Sequence, residues 1–393
     1  MPERRSRLPQ TILALGWVSL LNDSASEMIY PLLPVFLTSV LGASPTFIGV
    51  IEGIAEATAS ILKLVTGSLS DKIKRRKVFV AFGYILATFT RPLIGFATSG
   101  FHVLVARFLD RSGKGIRTAP RDALLAEAAN PQELGRAYGF HRSMDHLGAV
   151  IGPAIAFLLI AFFNSNLRLI FWLSAIPGTI GILILIFMVH ERTAVSVHSG
   201  LRQPLFQFRG LPGNFKWLLA SVALFALGNS SDAFLVLRAS TLGVPPEQLP
   251  LLWILLHVIK SVTSMPGGIL SDRIGRRPTI IGGWIVYALI YSGFAFASSI
   301  LHIWVLFALY GIYFGLTEGV EKAFVAQILP AERRGAAFGM YHFILGVMAF
   351  PASIVFGYLW TTFGNHTAFL IGSALAFAAS FLLIFTVHEK RDR

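Results

Sequence analysis

Three stretches of this chain, residues 169–190, 278–317 and 335–388, contain no Asp, Glu, Lys or Arg. A helix that crosses the hydrocarbon of a bilayer needs about 20 consecutive apolar residues, so the three stretches hold one, two and two spans. Helices of a water-soluble fold carry polar residues every turn on their outer face, which these runs do not. Charged residues make up 13% of the 393 and hydrophobic ones 54%, where soluble domains carry roughly 25% charged. The composition excludes disorder, a secreted disulfide scaffold and a soluble enzyme. Cysteine is absent, which removes thiol chemistry and Cys-ligated metal sites. The chain reads as an all-α, polytopic membrane protein.

The net charge of +13 sits in short clusters between apolar segments: Arg4, Arg5 and Arg7; the run at 72–77; Arg273, Arg276 and Arg277; Arg333 and Arg334; and the end at 390–393. That placement speaks against nucleic acid and for cytoplasmic loops, which carry such an excess. The intervening turns at 42–46, 98–102, 297–302 and 361–366 are nearly free of charge. The alternation predicts twelve spans in the inner (cytoplasmic) membrane with both termini in the cytoplasm. The approximate spans, helices 1 to 12, are 11–41, 45–69, 78–97, 101–125, 137–163, 167–190, 213–240, 247–270, 278–297, 301–328, 337–362 and 367–388. No small-residue cleavage site follows the basic N-terminus, so no removable signal peptide is expected. The reading divides the chain into an N-terminal six-helix bundle at 1–190, a cytoplasmic linker at 191–212 and a C-terminal bundle at 213–393.

The two halves repeat. Gly67-Ser-Leu-Ser-Asp71-Lys-Ile-Lys-Arg75-Arg76 returns as Gly268-Ile-Leu-Ser-Asp272-Arg-Ile-Gly-Arg276-Arg277, and Gly135-Arg-Ala-Tyr-Gly139 returns as Gly335-Ala-Ala-Phe-Gly339. Parallel repeats with a midplane site between them suit a rocking-bundle transporter. Both loops resemble the signature G-x-L-x-D-[RK]-x-G-[RK]-[RK] of the major facilitator superfamily. Lys74 stands where the family usually has Gly. The resemblance implies that helices 1, 4, 7 and 10 line the central path. It also implies that Gly67, Asp71, Arg75, Gly268, Asp272 and Arg276 form a conformational latch, and that Asp122 serves the same network.

An ionisable residue within a span costs about 2.5–3.5 kcal/mol on insertion scales, so it faces a cavity or a partner. Helix 4 holds Arg107, Asp110, Arg111, Lys114, Arg117, Arg121 and Asp122 within about 140° of one face, along about 21 Å of axis. Lipid cannot host its surplus of cations, so the stripe is either a wet path or an ion-paired lattice. Arg107 matches the Arg of the superfamily's helix-4 motif, associated with proton coupling. Asp23 and Glu27, four apart on helix 1 before Pro31 and Pro34, are candidate proton or substrate carboxylates; the alternative is static pairing with helix 4. Asp232 on helix 7, Glu318 on helix 10 and Asp145 on helix 5 complete the expected path. Helices 3, 6, 9 and 12 read as lipid-facing.

Gly148-x3-Gly152-Pro153 resembles the helix-5 antiporter motif G-x-x-x-G-P-x-x-G-G, with Ala156 and Phe157 in place of its last glycines. The resemblance favours export; GxxxG spacing also serves plain helix packing. No metal site is expected. No G-x-x-x-x-G-K-[ST] is present, so ATP is not the energy source, and no cofactor is implied. The functional reading is a monomeric secondary transporter in the lipid bilayer that exports a small-molecule substrate in exchange for protons. The alternative is proton-coupled uptake of an organic anion. The rival classes, an integral-membrane lipid-modifying enzyme or a channel, leave the 200-residue repeat unexplained.

Overall fold

The computed structural model describes residues 7–43, 45–162, 166–191, 211–245 and 248–389, and among these the chain is helical with no strand. Eight helical stretches are long and apolar enough, by length and composition, to cross a membrane. The last, residues 331–386, is two helices in sequence, because Gly364 leaves the helical region at φ 85° and separates helix 11 from helix 12. Helices 1, 2 and 4 are the spans outside this set. Helices 2 and 4 carry several charges along their length, and helix 1 is broken. Of the expected linker, only Glu191, Leu211 and Pro212 fall within the described residues.

Two spans break where polar residues gather. Helix 1 runs Gln10–Glu27, then passes through a tight turn at Tyr30–Leu32 and a wide one at Phe36–Val40. Pro31 and Pro34 each remove a backbone N–H there, and two such losses three residues apart favour a break over a regular helix. Helix 7 is split into Gly213–Gly228 and Ala233–Thr241 by residues 229–232, the Asn-Ser-Ser-Asp segment. Helix 4, Gly100–Ala128, and helix 10, Ile300–Ile328, are continuous.

The two halves are cored differently. The C-terminal half packs aromatic rings: Phe225 stacks on Trp284 at 4.7 Å and Tyr287 on Tyr291 at 4.2 Å, with Tyr310 and Tyr313 stacked at 5.6 Å. The N-terminal half buries charge. Helix 3 is not purely lipid-facing, as the sequence reading had it: Arg91 is buried and points at helices 1 and 4. Its burial is tolerated because every contact it makes is to an acceptor.

The halves meet along helices 2 and 11 and along helices 5 and 8. Gly67 lies so close to helix 11 that a Cβ would sit 2.2 Å from the Gly335 carbonyl, and a Cβ on Gly268 would sit 2.0 Å from that of Gly135. Ser143 Oγ donates to the Ser261 carbonyl at 2.5 Å, and Ser261 Oγ donates to the Ser143 carbonyl at 2.8 Å. These contacts lie toward the end of the bundle that carries the start of helix 1, the end of helix 6 at His190 and the end of helix 12 at His388. At that end the halves are closed on each other.

Candidate functional site

Helix 4 supplies the charges, and neighbouring helices settle which of them are neutralised. Asp110 is clamped: Arg91 Nε donates to Oδ1 at 2.9 Å and Arg107 Nη1 to Oδ2 at 3.3 Å. Arg91 also donates to the Asn22 carbonyl and side chain, both at 3.0 Å. Arg107 forks onto the Glu52 carboxylate of helix 2 with contacts of 2.8–3.0 Å. Bidentate pairing of this kind fixes geometry as well as charge. Arg107 and Asp110, expected in an open path, therefore belong to a paired lattice. The sequence could not reveal this, because Glu52 and Arg91 come from other helices.

A second set of charges on the same stripe has no such partners. Asp23, Ser26, Glu27, Tyr30, Arg111, Lys114 and Arg117, with Arg91 and Asp110 at its wall, line a cavity of about 140 Å³. Among the described residues, no ion pair joins Asp23, Glu27, Arg111, Lys114 or Arg117 to any opposite charge. Among the described residues, Asp23 accepts only from the Asn22 side chain, at 2.9 Å. Arg111 Nε, and Arg117 Nε and Nη1, are buried without a hydrogen-bond partner. Arg117 lies 4.4 Å over the Tyr84 ring and Arg111 6.0 Å over that of Tyr30, contacts that offset part of a cation's desolvation. The static pairing of Asp23 and Glu27 with helix 4 is thus absent. Arg117, near the middle of the described helix, faces the cavity.

Glu318 and Asp145 sit at the junction of the halves rather than in an open path. Arg142 of helix 5 reaches Asp145 at 2.8 Å and Glu318 of helix 10 at 3.0 Å, and His146 hydrogen-bonds Glu318 at 3.0 Å. On the other side of the junction Asp122 takes Arg121 at 3.0 Å from its own helix. From the other half it takes Lys322 at 3.1 Å and His342 at 2.8 Å. Asp232 accepts a hydrogen bond from Tyr310 at 2.8 Å within the C-terminal half.

The signature loops bind across the halves through backbone. Asp71 accepts from the Gly335 and Ala336 amides at 3.0 and 2.8 Å, and Asp272 from the Gly135 and Arg136 amides, both at 2.8 Å. Each carboxylate thereby caps the first turn of a helix in the opposite half, where free N–H groups and the helix dipole favour an anion. The expected role of Arg75 passes to Arg76. Arg75 is exposed, whereas Arg76 pairs with Asp71 at 2.7 Å and donates to the Ala331 carbonyl at 2.7 Å. Arg276 does the same with Asp272 at 3.3 Å and the Pro131 carbonyl at 2.8 Å. The cause is one extra residue. Lys74 takes the left-handed conformation at φ 55° and Arg75 follows it, while in the second loop Gly275 alone, at φ 107°, makes the turn. Glu191 and Glu389, which sequence reasoning passed over, cap helices 3 and 9 just behind these arginines.

Gly148 and Gly152 form a seam against helix 1. A Cβ on either would lie 2.5–2.6 Å from the Leu20 or Ser24 carbonyl, directly behind Asp23 and Glu27. Pro153, which follows them, lacks the N–H that a regular helix would use.

Comparison with known proteins gives a consistent picture. The family model described as Major Facilitator Superfamily matches residues 15–259 and 217–393. An uncharacterised MFS-type transporter of Methanocaldococcus jannaschii is 36% identical over 389 residues, covering 98% of this chain and 96% of that one. A probable 4-methylmuconolactone transporter of Cupriavidus pinatubonensis is 27% identical, covering 96% and 89%. Among solved structures, the fucose–proton symporter of E. coli superposes with a TM-score of 0.78 at 13% identity, covering 96% of this chain and 98% of that one.

Proposed function

The chain belongs to the major facilitator superfamily, as a multi-pass transporter and not an enzyme, and from that premise we propose that it moves a small organic molecule by proton-coupled alternating access. The observation that carries this reading is the pair Asp23 and Glu27, lining a cavity without an ion-pair partner. A carboxylate locked in a salt bridge resists protonation, while one that faces a cavity can gain and lose a proton as its surroundings change. The break after Glu27 and the glycine seam behind both carboxylates give helix 1 the freedom to shift. The basic clusters at the termini support a cytoplasmic assignment for that end, so the conformation described is closed to the cytoplasm. The contacts of Gly148 and Gly152 with helix 1 pack the seam behind the two carboxylates and do not themselves set the direction of transport.

The test is transport by proteoliposomes under an imposed pH gradient. Asp23→Asn and Glu27→Gln, singly and together, should abolish gradient-driven accumulation while sparing exchange of substrate at equal pH. Gradient-driven accumulation at the wild-type rate in the double variant would remove these carboxylates from the coupling.

A further inference from the structure

The cavity of helices 1, 3 and 4 is more than a place for protons. Three cations face it, Arg111, Lys114 and Arg117, against two carboxylates, Asp23 and Glu27; Arg91 and Asp110 at its wall neutralise each other. Arg117 is 4% exposed, yet its Nε and Nη1 have no acceptor, and Arg111 Nε has none either. A buried guanidinium with unfilled donors carries a desolvation cost that folding does not recover. The planar fork of Arg suits a carboxylate, whose two oxygens fill two donors at once. The volume, about 140 Å³, is close to that of an apolar cavity of roughly 150 Å³ known to hold benzene. It accommodates a carboxylate on a small ring or short chain.

We infer that this cavity binds the carboxylate of a small organic acid on Arg117, Arg111 and Lys114, and that the anion and a proton on Asp23 or Glu27 bind together. The inference rests on the proton-coupled reading above and names its substrate class. The coupling follows from the charges that surround the two acids. Asp23 and Glu27 feel each other, Asp145 on helix 5, and the cations Arg91, Arg111, Lys114, Arg117 and Arg121 on helices 3 and 4. Of the helix-2 acids, Glu52 is taken by Arg107, and Glu56 by Lys63 at 3.8 Å. With both helix-1 carboxylates charged, an incoming anion meets three cations and two like charges. Placing one proton on Asp23 or Glu27 raises the cationic surplus from one to two and removes one of the like charges, so the anion is held more tightly. By linkage, anion binding draws in the proton to the same degree that the proton strengthens the anion.

Calorimetric titration of the purified full chain with benzoate, succinate and citrate tests this, run at about pH 6 and about pH 8 in buffers of different ionisation enthalpy. The expected result is affinity for at least one acid about tenfold or more tighter at the lower pH, within the usual coupling range of roughly 5–150-fold, with net proton uptake. Glu27→Gln and Asp23→Asn should flatten the pH dependence. Arg117→Gln should lose at least about tenfold in affinity and Arg117→Lys recover part of it, with Lys114→Gln as a second variant if Arg117→Gln does not fold. Failure of all three acids to bind, or binding that ignores pH or releases protons, overturns the inference. In proteoliposomes, a pH-driven flux of neutral or cationic solutes, with the acids inert, overturns the anion class and leaves proton coupling standing. A wild-type flux indifferent to Asp23→Asn/Glu27→Gln overturns the coupling itself.

Discussion

Arg107 and Arg111 are one helical turn apart on helix 4 and have opposite circumstances. Arg107 is buried between Glu52 and Asp110, and Asp110 in turn bridges Arg107 and Arg91. Removing one member of a buried ion pair leaves the others uncompensated, at a cost of about 3–5 kcal/mol. Asp110→Asn should therefore lower the thermal unfolding temperature of the purified protein sharply. Arg111→Gln deletes a cation with no ion-pair partner, so it should cost under about 1 kcal/mol or stabilise, while weakening substrate binding. Equal destabilisation by the two substitutions would put Arg111 in the same lattice. The stripe itself was legible in the sequence, because helical periodicity alone places these residues on one face. Which of them are neutralised was not, since Glu52 lies 55 residues and Arg91 19 residues from their partners, and periodicity says nothing about contacts between helices.

At the scale of helices, close approach is set by glycine. Gly152→Ala would place a methyl 2.6 Å from the Ser24 carbonyl and 2.8 Å from the Glu27 Cβ, while Gly282, with nothing within 4 Å, has room for one. The first substitution forces helix 5 away from helix 1, and overpacking of this kind costs typically about 1–3 kcal/mol. The second should stabilise helix 9 by up to about 1 kcal/mol, because Ala is the better helix former. Thermal unfolding and pH-driven transport measured on both variants separate the two cases. Loss of transport in Gly152→Ala with an unchanged Gly282→Ala assigns the seam a part in positioning Asp23 and Glu27. Helix breaks divided in the same way between what could and could not be read. Pro31 and Pro34 announced the break in helix 1. The one-residue slip in the first signature loop was hidden, because the motif pairs Arg75 with Arg276 by sequence while the helix ends pair Arg76 with it in space. A loop absorbs an extra residue at little cost; the helix termini it joins stay in register.

The whole molecule is closed at one end by contacts that come in symmetric pairs. Asp71 on the helix 11 amides matches Asp272 on those of helix 5, while Asp122 is held by Lys322 and His342, and Glu318 by Arg142 and His146. The repeat in the sequence made the first pair readable. The resemblance groups Asp122 with the signature loops, but Asp122 is held instead by Arg121, Lys322 and His342, contacts that depend on how the halves dock. When the halves part at this end, Arg142 keeps Asp145 and Asp122 keeps Arg121, both within the N-terminal half. Glu318 and Lys322, four apart on helix 10, are then free to pair with each other, as opposite charges at that spacing do. The cysteine-free chain allows a direct measurement. Ser143 and Ser261 place their Oγ atoms 3.4 Å apart across the halves, so Ser143→Cys/Ser261→Cys should cross-link on mild oxidation and stop transport until reduced. Adding Asp71→Asn and Asp272→Asn removes the charge and, at each site, one of the two oxygens that accept backbone amides. Each backbone hydrogen bond to a charged group contributes about 1.5–3 kcal/mol, so the closed state should lose population and the cross-link form several-fold more slowly. An unchanged cross-linking rate would mean that these loops set topology alone, and that the Asp122 and Glu318 clusters hold the end shut without them.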